Sequence, residues 1–440
     1  MGKIREILRI GIPIMLGQAC IIVLAFADNI MIGWYGVHEL AAASFVNGII
    51  NLFIFTELAF ACGMTPVIGE NFGQGNFRGA GAALRNGIAL NAIIGIAGLL
   101  LLGIIYIFLD RFGQEEHLLP LIRPYYAIIA TSTLFAFGFN TLKQFTDGVQ
   151  QPVVAMCILM GGNLLNIIGN WLLIYGKAGF PELGLTGAGI STLVSRIIML
   201  MVLAAYVMHA RRFRRFSEGI RSSSASMKSL GRLFSLGFPL ALQTAMESAT
   251  FSLSAIMVGW IGATALAGHQ VAMTISQLFF MMMMGLATAV SVLVSDAYGR
   301  KNLKDIKEYA SKGYMLTFSI SAILAVFIWF TRNEVVALFT DSTEVTAIAL
   351  SLLTVLFAYQ FGDGLQLCYC NVLRGIQDVK PIALIAFISF FIIAMPSSYL
   401  LGFKAGLQTV GVWMGFPIGL TIAGIFYWLR FRYIVKRILP

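Results

Sequence analysis

Residues 11–33 read GIPIMLGQACIIVLAFADNIMIG, an apolar run interrupted by a single charge, Asp28. A helix needs about 20 such residues to cross the hydrocarbon core of a bilayer. A barrel strand would instead alternate apolar and polar over about ten residues. The reading is therefore a membrane helix. Residues 237–259, GFPLALQTAMESATFSLSAIMVG, repeat the run. A shift of 226 carries Gly11 onto Gly237, Pro13 onto Pro239, Leu16 onto Leu242, Ile30-Met31 onto Ile256-Met257 and Gly33-Trp34 onto Gly259-Trp260. The same shift takes Gly36, Leu40 and Ala41 to Gly262, Leu266 and Ala267, and Gly73 and Asn76 to Gly299 and Asn302. At 227, Gly148 and Gln150 meet Gly375 and Gln377, and Lys177-Ala-Gly179 meets Lys404-Ala-Gly406.

Further apolar runs place spans near 11–33, 45–68, 87–109, 122–141, 152–175, 185–208, 235–259, 271–295, 313–331, 346–371, 381–402 and 409–430. The expected fold is an all-α polytopic membrane protein. It has about twelve transmembrane helices in two six-helix lobes related by a parallel pseudo-two-fold repeat. The expected boundaries are 1–208 for the first lobe, 209–232 for a basic cytoplasmic linker with a Ser-rich run at 221–226, and 233–440 for the second lobe. Two such lobes meeting at a cleft suit a rocking transporter, although channels and intramembrane enzymes also contain repeats.

Composition agrees. Of 440 residues, 58% are hydrophobic and 11% charged, with mean hydropathy +0.85. A soluble domain carries about 25% charged residues, so soluble enzymes and nucleic-acid-binding proteins are set aside. The net charge of +10 has a topological explanation. Only Arg111, Arg123, Lys177, Arg332 and Lys404 fall on the odd-numbered connections and Arg196 inside a span, which leaves 24 of the 30 Lys and Arg for the even-numbered connections and the termini. Lys and Arg stay on the cytoplasmic side, so both termini are expected there. Cys20, Cys62, Cys157, Cys368 and Cys370 are scattered and the four histidines dispersed, which suggests neither a disulfide framework nor a metal cage. No small-residue cleavage site follows the first run, so it is expected to be retained.

Ionisable groups at membrane depth are expensive and usually face a cavity or a partner. Asp28, Glu57, Glu247 and Asp363 are such groups, and Arg196 is the one interior cation. Each carboxylate is either part of a Na⁺ or H⁺ site or a protonated interhelical link. Tyr359 and Asp363 are four apart, on one helix face. Gly362 and Gly364 are expected to loosen the helix there and free backbone carbonyls. Asn166 and Asn170 are also four apart, with Asn163 a turn earlier, reading as helix–helix glue or a polar pocket. Pro13 and Pro239 are packing kinks or hinges. Met281–Met284 and the many Phe read either as an adaptable binding surface or as lipid-facing residues.

The chain resembles the multidrug and toxic compound extrusion (MATE) transporters, in particular their NorM-like branch. The resemblance rests on Gly11-Ile-Pro13, Asp28-Asn-Ile-Met-Ile-Gly33, Gly268-His-Gln-Val-Ala272, Leu373-Arg-Gly-Ile-Gln-Asp378, Leu165-Asn-Ile-Ile-Gly-Asn170-Trp171 and the segment Gly184 to Thr192. It implies a secondary active exporter working by alternating access, with Na⁺ as coupling ion and H⁺ as runner-up, and no other cofactor or metal. It implies cation binding by Glu247, Tyr359 and Asp363, and a second polar cluster, for cation or substrate, of Asp28, Asn166, Asn170 and Thr192. Some relatives carry Asp where this chain has Asn170, which counts against a proton mechanism in the first lobe alone. Glu57 has no family role; its repeat-mate is Met283. Expected partners are cationic or amphipathic small molecules and membrane lipids, not nucleic acid, and the chain is expected to be a monomer.

Other readings fit the residues less well. A lipid-linked-sugar flippase of the same superfamily would place several Lys or Arg in its cavity, whereas here interior cations are almost absent and interior carboxylates are present. An intramembrane aspartyl protease would need a Gly two residues before Gly362, where Gln360 stands, so the chain is not read as an enzyme. His269 has no catalytic partner in the sequence and reads as packing.

Overall fold

In the computed structural model, which describes residues 2–113, 115–222, 226–340 and 342–438, twelve long helices follow one another. They are α1 (Gly2–Tyr35), α2 (Val37–Gly73, with a turn at Cys62-Gly63), α3 (Phe77–Ile107), α4 (Leu119–Gly148), α5 (Pro152–Ile174) and α6 (Gly184–His209). The second set is α7 (Met227–Ile261), α8 (Ala263–Gly299), α9 (Leu303–Ala337), α10 (Thr343–Gly375), α11 (Lys380–Lys404) and α12 (Gln408–Ile438). Eleven are long and apolar enough to cross a membrane. The remaining one, α7, has 35 residues, but Gln243, Thr244, Glu247, Ser248, Thr250, Ser252 and Ser254 dilute its apolar run. It is the repeat-mate of α1.

The helices outrun their apolar cores, so several charges counted with the loops sit on helix ends. Arg374 is one, and it is buried. Phe330, Leu100 and many other large apolar side chains are exposed. Water would penalise such a surface, whereas lipid accepts it, and helices satisfy their backbone polar groups internally. The chain is an integral membrane protein. Trp34 and Trp260, repeat-mates at the ends of α1 and α7, are 80% and 66% exposed, as interfacial aromatic anchors are.

The repeat reaches into local geometry. Asn76 caps α3 by accepting from Gly79 N at 2.9 Å, and its mate Asn302 caps α9 by accepting from Asp305 N at 3.1 Å. Gln150 and Gln377 both take left-handed backbone, at φ 61° and 63°, and the mates Gly179 and Gly406 do the same at 86° and 73°. The fourth helix of each half is central. α4 packs against α2, α3 and α6, and α10 packs against α8, α9 and α12.

Two compact units result: Leu16–Ala241, and Met1–Met15 with Leu242–Pro440. Each boundary falls two residues beyond a helix proline, Pro13 in α1 and Pro239 in α7. A proline removes one backbone hydrogen bond and leaves a helix easier to bend there. The stretch 209–232 contains helical segments. Arg211–Phe216 forms a tight turn pinned by buried Phe213 and Phe216, and residues 227–232 already belong to α7. Ser223, Ser224 and Ala225 of the Ser-rich run lie outside the described residues, as do Met1 and Pro440 at the ends of the expected lobes.

Candidate functional site

Two polar clusters are buried in the helices, one in each unit. In the unit containing Leu242–Pro440, Asp363 sits midway along α10 and is 0% exposed. Neither of its oxygens has a hydrogen-bond partner in the structure. Glu247 projects from α7. Its Oε2 accepts from Gln243 Nε2 at 2.7 Å, and its Oε1 is also unpartnered. Glu247, Tyr359 and Asp363 lie within electrostatic reach of one another, and Ser276 of α8 lies beside Tyr359. The three residues expected to act together are thus brought together, by α7 and α10.

Each unpaired buried acceptor costs about 1–3 kcal/mol. Three carboxylate oxygens left without donors are a strong local demand for positive charge. A proton or a small hard cation with oxygen ligands meets that demand. Gln243 and Ser276 were not anticipated, although Gln243 stands four residues before Glu247 on the same face. Gln360 and Gln366, three residues either side of Asp363, have both side-chain amide atoms buried and unpartnered as well.

One local expectation is corrected. α10 runs unbroken as α-helix through Gly362 and Gly364, so no backbone carbonyls are freed there. The two glycines instead let neighbours approach. A Cβ on Gly362 would stand 2.5 Å from Thr421 Oγ1 of α12, and one on Gly364 would stand 3.0 Å from Ser321 Oγ of α9.

In the Leu16–Ala241 unit, Asn170 Nδ2 donates to Asp28 Oδ1 at 2.6 Å. Asn166 is one helical turn away. With its amide turned so that both ends are satisfied, its nitrogen donates to Asp28 Oδ1 at 2.9 Å and its oxygen accepts from Thr192 Oγ1 at 3.1 Å. Asp28, Asn166, Asn170 and Thr192 therefore form one connected network across α1, α5 and α6. Asn163 donates to the Cys20 carbonyl at 2.8 Å, which fits its reading as helix–helix glue. Arg196 donates to Ser132 Oγ at 2.7 Å and lies within electrostatic reach of Asp28. The interior cation and one of the two interior carboxylates of this unit, Asp28, are thus neighbours, a pairing the sequence left open.

The other singled-out residues fall outside both clusters. Glu57 is buried on α2 with Oε1 unpartnered, against Gly98 of α3, where a Cβ would stand 2.3 Å from that oxygen. Met283, its repeat-mate, is fully buried and accepts from Ser321 Oγ at 2.9 Å. His269 is a core residue, with Trp413 Nε1 donating to its Nδ1 at 2.9 Å. The five cysteines are free. Among the described residues, no three His, Cys, Asp or Glu side chains converge as a metal-binding group.

Comparison with known proteins places this architecture. A family model described as MatE matches residues 13–172 and 239–400, one block in each half. A relative described as "Probable multidrug resistance protein NorM", from Xylella fastidiosa (strain 9a5c), is 27% identical over 436 residues, spanning 99% of this chain and 93% of that protein. A solved structure described as "Outward-facing conformation of a multidrug resistance MATE family transporter of the MOP superfamily" superposes with TM-score 0.90 at 22% identity, covering 99% of this chain and 96% of that one. Another, "Crystal structure of MATE in the straight conformation", gives TM-score 0.91 at 21% identity with coverage of 99% and 96%. At these identities the two structures speak for the fold.

Proposed function

Because the chain belongs to the MatE family of transporters, matched over most of both halves, we propose that it is a secondary active multidrug exporter that exchanges Na⁺ for cationic or amphipathic drugs by alternating access. The observation that carries this reading is the Glu247–Asp363 pair, with three buried carboxylate oxygens lacking donors. Such a pair suits a monovalent cation or proton taken up in one conformation and released in another. Tyr359 stands beside the pair and supplies a further oxygen.

In this reading the inward cation occupies Glu247 and Asp363 more tightly in one state than in the other. That difference in binding free energy is what shifts the equilibrium between states. The Asp28–Asn166–Asn170–Thr192 network in the other unit serves cation or drug, with the negative charge of Asp28 favouring cationic cargo. Pro13 and Pro239 act as the bending points of α1 and α7. The protein works as a monomer in a bacterial inner membrane with both termini cytoplasmic, as the Lys and Arg distribution suggests. Its surroundings are membrane lipids, and it needs no resident cofactor.

The test is efflux of a fluorescent organic cation from proteoliposomes driven by an imposed Na⁺ gradient. Glu247→Gln is expected to abolish Na⁺-driven efflux in a folded protein. Unchanged efflux in that variant would remove Glu247 from the coupling site.

A further inference from the structure

Two of the four histidines meet outside both clusters. His38 is in the first turn of α2, and His117 is in the short turn Glu116–Leu118 ahead of α4. Although 79 positions apart, His117 Nε2 and His38 Nδ1 stand 3.3 Å from one another. The ring centroids are 4.9 Å apart and the planes cross at 87°. The other ring nitrogen of His117, Nδ1, is 3.2 Å from Glu115 Oε2, within ion-pair reach of that carboxylate. In the tautomers that carry the proton on Nδ1 of His117 and on Nε2 of His38, the two facing nitrogens, Nε2 and Nδ1, each present a lone pair.

The contact is that of a hydrogen bond between the two rings, and its spacing is also that of two nitrogens on one metal ion. Two imidazole nitrogens on a tetrahedral zinc, at about 2.0–2.1 Å each, are separated by about 3.3–3.4 Å, with ring centroids about 5 Å apart. A carboxylate on the far nitrogen is the usual device that sets the tautomer and orientation of a zinc-bound histidine. Each lone pair must swing about 35° off the line between the nitrogens to converge on one ion, a small rotation of χ angles for exposed rings. His38 is exposed, and the side chains of His117 and Glu115 are 52% and 76% exposed. Glu39, Glu115 and Glu116 flank the two histidines in sequence and give the locality a negative charge.

We propose that His38 and His117 bind Zn²⁺ or a similar transition-metal dication through Nδ1 and Nε2 respectively. Glu115 orients His117, and two waters complete the tetrahedron. The bound ion ties the first turn of α2 to the turn ahead of α4, within the unit that holds Asp28. Both turns lie on odd-numbered connections, the side the charge distribution turns away from the cytoplasm, so the ion comes from the external medium.

The experiment is calorimetric titration of the untagged, metal-stripped protein in detergent with ZnCl₂, paired with its melting midpoint with and without Zn²⁺. One saturable ion per chain and a Zn²⁺-dependent rise in midpoint are expected. His38→Ala and His117→Ala each abolish both, with the metal-free midpoint unchanged because both side chains are exposed. Glu115→Gln keeps both ligands and weakens binding about 10–100-fold. His209→Ala is the control and leaves the titration as it was. No saturable binding by the wild type, or wild-type binding in the two His variants, overturns the site. An unaltered Glu115→Gln titration overturns the role given to Glu115.

Discussion

Replacing Asp363 by Asn keeps the shape of the buried side chain and removes its charge, which isolates what the charge does. Asp363 Oδ1 and Oδ2 and Glu247 Oε1 all lack donors. At about 1–3 kcal/mol for each unmet acceptor, the pair holds roughly 3–9 kcal/mol that a bound cation can offset against its own dehydration. The net effect is read through linkage. A ligand at about 100 times its Kd stabilises the folded state by about 2.7 kcal/mol. For a folded unit of about 150–250 residues, 1 kcal/mol moves Tm by about 2–4 °C, so saturating Na⁺ raises the midpoint by roughly 5–10 °C. The assay is thermal melting in detergent at constant ionic strength, exchanging Na⁺ for N-methylglucamine. The wild type climbs with Na⁺, whereas Asp363→Asn melts at one temperature throughout. An equal climb in the variant would refute the assignment. A midpoint that ignores Na⁺ and follows pH would move the coupling to protons.

Three further outcomes follow from the geometry. Asn170→Ala deletes the 2.6 Å donor to Asp28 and lowers stability by about 1.5–3 kcal/mol, as for a hydrogen bond to a charged group. A double-mutant cycle with Asp28→Ala shows a coupling of that order, and additivity would mean that the bond contributes nothing. Glu57→Met installs the residue its repeat-mate already uses, and replaces an unpartnered buried carboxyl with an apolar chain of similar length. It is expected to raise the melting midpoint with efflux intact, so lost efflux would give Glu57 a role in transport. Pro13→Ala restores a backbone donor beside the unit boundary, so the fold holds or gains stability while efflux slows. Full-rate efflux in both Pro13→Ala and Pro239→Ala would remove the hinges.

What was legible in the sequence was what local chemistry decides. Helix caps depend on one side chain and its next turn, so the match of Asn76 with Asn302 carried through to the same cap in each half. The Asp28 network was foreshadowed by the family resemblance; spacing alone put Asn166 and Asn170 on one helix face without joining them to Asp28. The double glycine around Asp363 misled, because a helix packed on several sides stays helical and uses missing side chains for contact instead. Gln243 went unnoticed because an uncharged amide inside a span carries no charge signal of its own. The Ser132 partner of Arg196 and the meeting of His38 with His117 join residues 64 and 79 positions apart. No periodicity reports such pairs; only the packing of the helices does.

The central claim is cation exchange through Glu247 and Asp363. It is tested most directly by efflux of a fluorescent cation from proteoliposomes under Na⁺ and H⁺ gradients imposed separately. Efflux driven by the Na⁺ gradient alone, and lost in both Glu247→Gln and Asp363→Asn, is the predicted result. Efflux indifferent to both gradients, or undiminished in both variants, would contradict it.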